Sequence, residues 1–271
     1  MTHQFFITVP SDSSMKWYPQ NSVGRYTAQL PQPVSLDGQY EVGLAEIIYP
    51  QTWYNIRNLD REYWIAIGGL IEFNGGKHRR CFLETCNYNS VNEFITSLNT
   101  QMNDAFKDIE NIRPEFIYNT AVRKIMYRLN KTETIDGQRN NLTFIISDAL
   151  QVRLGITKPF SNRGMNVMYT ANEEFVLNDD LHLMFVYCDV IAHTIVGDTS
   201  APLLRVVNLN NEPGEMKRLS FPDIHYMPVQ KRQFETIEIS INTARGRIMP
   251  FESGRSVVTL HFRRVFNIFQ K

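Results

Sequence analysis

Alternating apolar and polar residues near the carboxyl end of the chain predict two β-strands, over 235–241 and 256–263. The apolar positions are Ile237, Ile239 and Ile241 in the first segment and Val258, Leu260 and Phe262 in the second. Because successive side chains of a strand point to opposite faces, each segment is expected to bury one face. The polar run 242–247 predicts a turn, so the chain is expected to finish as an antiparallel pair on a core.

The first 60 residues contain three further segments of this kind. The predicted strands are 5–9, which Pro10 ends, 26–30, which Pro31 and Pro33 close, and 40–49, which Pro50 ends. In the third segment, strict alternation places Glu46 and Ile48 on the same face as Leu44. It puts Ile47 on the opposite face.

The middle of the chain is expected to combine strands with two helices. The predicted elements are a hairpin of strands 63–73 and 78–84, a helix over 90–109, strands at 114–129 and 141–146, and a short helix at 147–155. Asn74-Gly75 is a favoured hairpin turn. Ser90 and Glu93 form a capping box before an apolar stripe at helical spacing. Ser147 is a helix cap and Gly155 a stop signal.

The order of these elements indicates the fold class. Many strands separated by turn signals, with two helical stretches and no regular strand–helix alternation, are typical of an all-β fold with minor α content. The strand count fits an antiparallel single jelly-roll β-sandwich with a helix-containing insertion. We interpret 1–271 as one jelly-roll domain, in which 63–165, containing the helix 90–109, is a candidate inserted subdomain.

Charge and composition limit the classes of function. Lys and Arg (28) balance Asp and Glu (28), so no net field is available to hold nucleic-acid phosphates, and no specific nucleic-acid binding is expected. The first ten residues lack both a basic flank and a long apolar run, which predicts neither a signal peptide nor a membrane span. Cys81, Cys86 and Cys188 match no disulfide framework, so we expect a protein of a reducing compartment that is not secreted.

The sequence contains no recognisable catalytic constellation. Its six histidines lack metal-site spacing, and it has no phosphate-binding glycine loop or nucleophile elbow, so we expect no enzyme activity, no cofactor and no metal. Cys81 follows two arginines, the one hint of a reactive thiol, although a structural cysteine is the favoured interpretation. His225 and His261 are also interpreted as structural.

Aromatic residues and arginines are the candidates for a contact surface. The candidate interface residues are Trp17, Tyr18, Trp53, Tyr54, Arg232, Arg245 and Arg247. Aromatic side chains in loops anchor protein contacts, and arginines are common at interface rims. Membership of the core is the alternative for the aromatic residues.

Three blocks of the chain resemble the minor capsid (penton) proteins of Polinton/Maverick elements and adintoviruses. They comprise 5–15, 18–19, 26–31, 41–50 and 53–56 at the amino end, 186–190 and 196–207 further on, and 222–229 with 234–264 at the carboxyl end. Tyr40 departs from the family, which has a tryptophan there. The resemblance implies the expected function, which is that of a jelly-roll capsid subunit that forms homopentamers at the five-fold vertices of an icosahedral shell.

The same resemblance implies partners and location. The expected partners are further copies of the chain and a double jelly-roll major capsid protein. The expected location is the virion, after synthesis in the host cell cytoplasm or nucleus.

Two alternative functions are compatible with the same jelly-roll architecture. The first is a non-catalytic jelly-roll binding module for a receptor or a carbohydrate, which exposed loop aromatics would favour. The second is a cupin-like metalloenzyme, which would need histidines and a carboxylate to converge inside the barrel.

Overall fold

A computed structural model describes most of the chain. The described residues are 4–58, 61–69, 79–107, 112–131, 142–157, 168–178, 181–209 and 216–265. The chain divides into two compact units, one made of Met1–Trp53 with Asp180–Lys271 and the other of Tyr54–Asp179.

The described residues form strands and two helices. The strands are β1 (Gln4–Pro10), β2 (Arg25–Ser35), β3 (Tyr40–Pro50), β4 (Trp64–Gly69), β5 (Arg79–Phe82), β6 (Ile112–Asn119), β7 (Lys124–Lys131), β8 (Leu142–Ile146), β9 (Met168–Thr170), β10 (Leu183–Cys188), β11 (Thr194–Val196), β12 (Thr199–Ala201), β13 (Leu203–Asn208), β14 (Met216–Ser220), β15 (Met227–Pro228), β16 (Gln233–Thr243) and β17 (Val257–Arg264). The helices are α1 (Val91–Ala105) and α2 (Asp148–Arg153).

The first unit is a jelly roll. One sheet has the order β1-β17-β3-β14, with β15 also pairing with β3, and the other has the order β13-β10-β16-β2. When the eight strands in these two orders, without β15, are renumbered 1 to 8 along the chain, the sheet orders become 1-8-3-6 and 5-4-7-2. All the pairings are antiparallel. This is the jelly-roll order, and the predicted fold class is confirmed.

The core of the first unit lies between the inner faces of its two sheets. Ile237, Ile239 and Ile241 of β16 are fully buried, as are Val258, Leu260 and Phe262 of β17. They pack in one cluster with inner-face residues of the other strands. The alternation predicted for both segments is therefore confirmed.

A β-bulge in β3 changes the faces of its second half. Thr259 of β17 pairs with Glu46, whereas the next residue, Leu260, pairs with Leu44, so Ala45 is an extra residue on β3. Ile47 is consequently in the core and Glu46 binds Arg218 outside it. The predicted sharing of one face by Glu46, Ile48 and Leu44 was wrong, because strict alternation does not survive an inserted residue.

Strand β2 is longer than predicted. It continues through Pro31 and Pro33 to Ser35 instead of ending at residue 30. Within its sheet β2 is at the end of the order, paired only with β16 among the described strands. An edge strand tolerates proline, because the N–H groups on its outer side have no ladder partner to lose.

The second unit contains two three-stranded sheets and both helices. The sheet orders are β5-β4-β8 and β6-β7-β9. Strands β4 and β5 form the predicted hairpin, whose Asn74-Gly75 turn lies outside the described residues. The predicted strand 114–129 is in fact a hairpin of β6 and β7, turning at 120–123. That turn has no Gly or Pro, but Arg123 adopts a positive φ of 56° and the Asn119 side chain accepts from the Ala121 N–H.

The helices begin where the capping signals predicted. Ser90 Oγ accepts from the Glu93 N–H at 3.1 Å, and α1 buries the apolar stripe Phe94, Ile95, Leu98 and Met102. The helix ends at Ala105, with Phe106 as its C-cap, so the predicted end at residue 109 was wrong. We infer that the second unit is the inserted subdomain predicted at 63–165, with wider limits. Among the described helices, none has the length and apolar character needed to cross a membrane.

Gly43, in the middle of β3, offers a test of the packing against the outer face of this strand. A Cβ at Gly43 would overlap the Ile224 side chain and the His225 carbonyl group. We expect Gly43→Ala to lower the free energy of unfolding by about 1–3 kcal/mol through overpacking. Urea denaturation measures the change.

Gly246→Ala is the comparison, because nothing lies within 4 Å of a Cβ there and its loss comes from the positive φ of 77° alone. A Gly43→Ala loss below about 1 kcal/mol would contradict the close packing.

Candidate functional site

Two loops of the first unit meet at one end of the jelly roll. We call 11–24, between β1 and β2, the Trp17 loop, and 244–256, between β16 and β17, the Arg245 loop. Ser11 N–H donates to the Ser256 carbonyl at 2.8 Å, and Ser256 Oγ donates to the Val23 carbonyl at 2.7 Å. Four of the predicted interface residues, Trp17, Tyr18, Arg245 and Arg247, thus lie on two joined loops.

Hydrogen bonds to Ser14 fix the conformation of the Trp17 loop. Ser14 has a positive φ of 59°, and its carbonyl accepts from the N–H groups of Trp17 and Tyr18, both at 2.9 Å. Its Oγ accepts from the Gln29 N–H at 2.9 Å, which ties the loop to β2. A loop fixed in this way loses little conformational entropy when it binds a partner.

Asn21 attaches the same loop to the edge of β2. Its amide oxygen accepts from the Thr27 N–H and its amide nitrogen donates to the Thr27 carbonyl, both at 2.9 Å. A second bond from the nitrogen reaches the Ser13 carbonyl at 3.2 Å. Asn21 thereby occupies backbone groups that a further strand would otherwise pair with, which protects this edge from unspecific β-pairing.

The Trp17 loop exposes two large apolar side chains. Trp17 is 66% exposed and the neighbouring Met15 is exposed as well, while Lys16 Nζ lies 5.5 Å from the centre of the Trp17 ring. Ile248 of the Arg245 loop is a third exposed apolar side chain. A tryptophan held outward on a fixed loop is the type of residue that contributes most to protein interfaces.

Charge at this end differs from that of the whole chain. The two loops carry four cationic and two acidic side chains, although the chain as a whole is neutral. Arg245 and Arg247 are exposed in the Arg245 loop, and Arg255 lies 3.5 Å from Asp12 of the other loop. The two loops that expose Trp17 and Ile248 therefore carry an excess of basic side chains, which are common in the polar rim of an interface.

Trp53 does not belong to this exposed group. It is 5% exposed and packs in the core of the first unit, with ring centres 6.4 Å from Tyr49 and 5.8 Å from Phe251. The core interpretation of this tryptophan is the one that its burial supports. Tyr54, the next residue, is exposed and begins the second unit.

Arg232 lies at the opposite end of the jelly roll. It directly precedes β16, whose eleven residues span roughly 33 Å before the Arg245 loop begins. Its carbonyl accepts from the Leu36 N–H at 2.8 Å. The structure therefore does not bring Arg232 together with Arg245 and Arg247.

Sequence reasoning missed Met15, Asn21 and Ile248. Met15 and Ile248 lie in short loops without any apolar period, so nothing in the sequence marks them as exposed. Asn21 offered a weak signal, since asparagine in a polar loop often bonds to nearby backbone. The backbone groups that Asn21 binds at Thr27 belong to β2, a strand that follows Asn21 in the chain.

Burial makes the candidate thiols unreactive. Cys81 is buried, and burial, with a smaller effect of Glu84, raises its pKa. Burial raises the pKa of Cys188 to about 12. Both therefore stay protonated near neutral pH, which disfavours nucleophilic chemistry. In the described part of the chain, no three His, Cys, Asp or Glu side chains are grouped to hold a metal ion.

Comparison with known proteins identifies a shared fold. No protein-family model and no curated protein matches the sequence. The crystal structure of the mavirus penton protein aligns with 97% of this chain and 100% of its own, with a TM-score of 0.52 and 12% sequence identity. This chain shares the fold of the mavirus penton protein. A chain in the cryo-EM structure of the Sputnik virophage covers 97% of this chain and 98% of its own, with a TM-score of 0.49 and 11% identity.

The alignment with the mavirus penton protein is not confined to the jelly roll. At 97% of the chain, it necessarily includes residues of the second unit, Tyr54–Asp179, as well. The fold likeness therefore extends to the helix-containing segment between β3 and β10.

The bonds of Asn21 give a test of the fixed Trp17 loop. Trypsin can cleave after the exposed Lys16 only if the surrounding backbone opens. We expect Asn21→Ala to speed cleavage at Lys16 at least about tenfold, since losing bonds worth more than about 1.4 kcal/mol has that effect on local opening. Mass spectrometry of timed digests measures the rate.

Gln20→Ala, on an exposed neighbouring residue of the same loop, is the control and should leave the rate unchanged. Equal cleavage of the two variants would show that Asn21 does not hold the loop.

Proposed function

We propose that this protein is a viral structural protein, a penton subunit of an icosahedral capsid, and not an enzyme. The observation that carries the proposal is the complete jelly roll with its helix-containing second unit, a fold shared with the mavirus penton protein over nearly the whole of both chains. The three sequence blocks that resemble Polinton/Maverick and adintovirus minor capsid proteins support the same role.

Five copies would form a ring at the five-fold vertex. In such a ring each subunit contacts its two neighbours through different surfaces, and the ring closes when the rotation between subunits fits. The zero net charge of the chain favours close packing of identical copies, because no strong repulsion between copies has to be overcome.

The Trp17 loop is the proposed anchor between neighbouring subunits. Its backbone is already fixed by Ser14 and Asn21, so ordering it on assembly costs little free energy. Burial of the exposed Trp17 and Met15 would supply apolar contact area, and the arginines of the Arg245 loop would form the rim.

The outer perimeter of the ring is proposed to contact a double jelly-roll major capsid protein. The protein would reside in the virion after synthesis in the host cytoplasm or nucleus. Neither nucleic acid nor membrane is a proposed partner.

A binding module for a receptor or a carbohydrate is the second candidate. One observation favours it: Trp17 is displayed on a fixed loop, and exposed aromatic rings can also stack on ligands. Glycan-array binding by a monomeric protein would support this function in place of the penton role.

The oligomeric state is the direct test of the proposed ring. We expect the purified protein to have a mass of about five times 31.6 kDa by size-exclusion chromatography with light scattering. Class averages from electron microscopy should show five-fold rings. A stable monomer at micromolar concentration would contradict the ring.

Trp17→Ala tests the anchor separately. We expect the dissociation constant of the ring to rise at least about 30-fold, the effect of losing an interface hot spot of about 2 kcal/mol. Val152→Ala, at an exposed apolar residue of α2 in the second unit, is the matched control and should not change it. A ring that resists dilution equally in both variants would rule out Trp17 as the anchor.

A further inference from the structure

One segment of the first unit lies along β3 and folds over part of the outer face of the sheet formed by β1, β17, β3 and β14. We call residues 221–229 the covering segment. At its start, Phe221 N–H donates to the Ala45 carbonyl at 2.8 Å, and at its end, Val229 N–H donates to the Tyr40 carbonyl at 2.9 Å. Strand β15, within the segment, pairs with the first residues of β3. The covering segment is thus fastened to β3 at both ends.

Three residues in register form the surface beneath it. Phe6 of β1 pairs with His261 of β17, and His261 pairs with Gly43 of β3. Their neighbours Leu260, Phe262 and Val42 face the core, so this row faces outward. Gly43 has no side chain, which lets Ile224 and His225 of the covering segment approach the sheet closely.

His261 connects this surface to the covering segment. Its Nδ1 lies 2.7 Å from the hydroxyl oxygen of Tyr226, and the Phe6 ring stacks on its other side at 4.4 Å between ring centres. His261 is only 8% exposed, whereas Phe6 is 63% exposed. In the neutral tautomer that carries its proton on Nε2, Nδ1 accepts a hydrogen bond from the Tyr226 hydroxyl group.

The charged groups around His261 are not placed to stabilise a positive charge on its ring. On β17, Arg263 lies over the Tyr226 ring at 3.5 Å and forms an ion pair with Glu41 of β3. Glu46, also on β3, is bound to Arg218 and Ser220. Strand β1 carries no charged residue.

The covering segment itself adds Asp223 and His225. Both are exposed, and Arg205 donates to the Asp223 carbonyl. No carboxylate is hydrogen-bonded to His261 in the described residues, and the charge that acts on its ring is the cation of Arg263.

We propose that His261 is an acid-sensitive latch, which holds the covering segment on the sheet when neutral and favours its release when protonated. A proton on His261 would place a cation in a nearly buried position, between two aromatic rings and beside Arg263. Opening of the covering segment exposes the imidazole to water, which stabilises the charged form. Protonation and opening are therefore linked.

The direction of the pH effect follows from this linkage. Burial, and secondarily Arg263, lower the pKa of His261 below its usual 6.5. The closed form therefore binds the proton less readily than the open form, whose His261 titrates normally. Closure is unaffected above about pH 6.5 and weakens as the pH falls through that value, until the closed form also binds the proton. With one proton involved, the opening equilibrium rises at most about tenfold per pH unit.

Hydrogen–deuterium exchange of the full-length protein between pH 7.5 and 5 tests the latch. After correction for intrinsic exchange rates, protection of peptides from the covering segment should decrease below about pH 6.5. Ile241 N–H, which donates to Gly24 at the other end of the jelly roll, is the internal reference and should keep its protection. Unchanged protection of the covering segment across this range would overturn the proposal.

Two variants distinguish the effect of protonating His261 from the effects of other titrating groups. His261→Asn keeps an acceptor near the Nδ1 position but cannot titrate, so its exchange should lose the pH dependence. His225→Asn, at an exposed histidine of the same segment, should retain it. A His261→Asn variant with the pH dependence of the unaltered protein would refute the latch.

If His261→Asn fails to fold, a pH titration of the unaltered protein tests the latch instead. Proton NMR of the His261 ring signals should give a pKa below the usual 6.5 of a histidine side chain. A pKa of 6.5 or higher for His261 would contradict the proposal. Both measurements are independent of the proposed penton function, since neither requires a ring or a capsid partner.

Discussion

Burial of two apolar sheet faces against each other is the interaction on which the jelly roll depends. Each sheet presents aliphatic and aromatic side chains on its inner face, and these form a single cluster. A separate sheet would leave this surface in water, at a cost of roughly 25 cal/mol per Å². Because each sheet combines strands from both halves of the chain, neither can form before distant segments meet.

This packing leaves other backbone groups on the outside of the jelly roll, where local contacts satisfy their hydrogen-bonding capacity. Along the edge of β2, Asn21 and Ser14 bond to the first half of the strand, and two prolines follow in the second half. Across the other sheet, the covering segment uses the space left by Gly43. An aggregation-prone edge and an outer sheet face are thereby protected within the same chain.

Several polar side chains stabilise this architecture. Asp189 accepts from Lys231 and from the Glu238 N–H, which joins the middle of β16 and the residues before it to the end of β10. Cys188 is a buried apolar contact in the core, and His261 holds Tyr226. In the described part of the chain, the Trp17 loop and the Arg245 loop are exposed and accessible to other molecules.

The apolar alternation of β16 and β17, the capping box at Ser90 and the stop at Gly155 sufficed to predict the fold class and several elements. These signals are local, because side-chain direction and helix capping depend on a few neighbouring residues. The exposure of the candidate interface residues could not be predicted: Trp17 is exposed, whereas Trp53, with the same aromatic character, is in the core. Both residues lie beside tyrosines in loops, so the sequence could not separate them.

Long-range contacts decided the rest. Ala45 became a bulge only because β3 pairs with β17 on both sides of it, and β2 could pass through its prolines only because it lies at an edge. The turn at 120–123 formed without Gly or Pro because β6 and β7 pair around it. By itself the sequence determined the fold class, the starts of both helices and the apolar faces of β16 and β17. Register, edge position and exposure were decided by tertiary structure, since each depends on residues far apart in the chain.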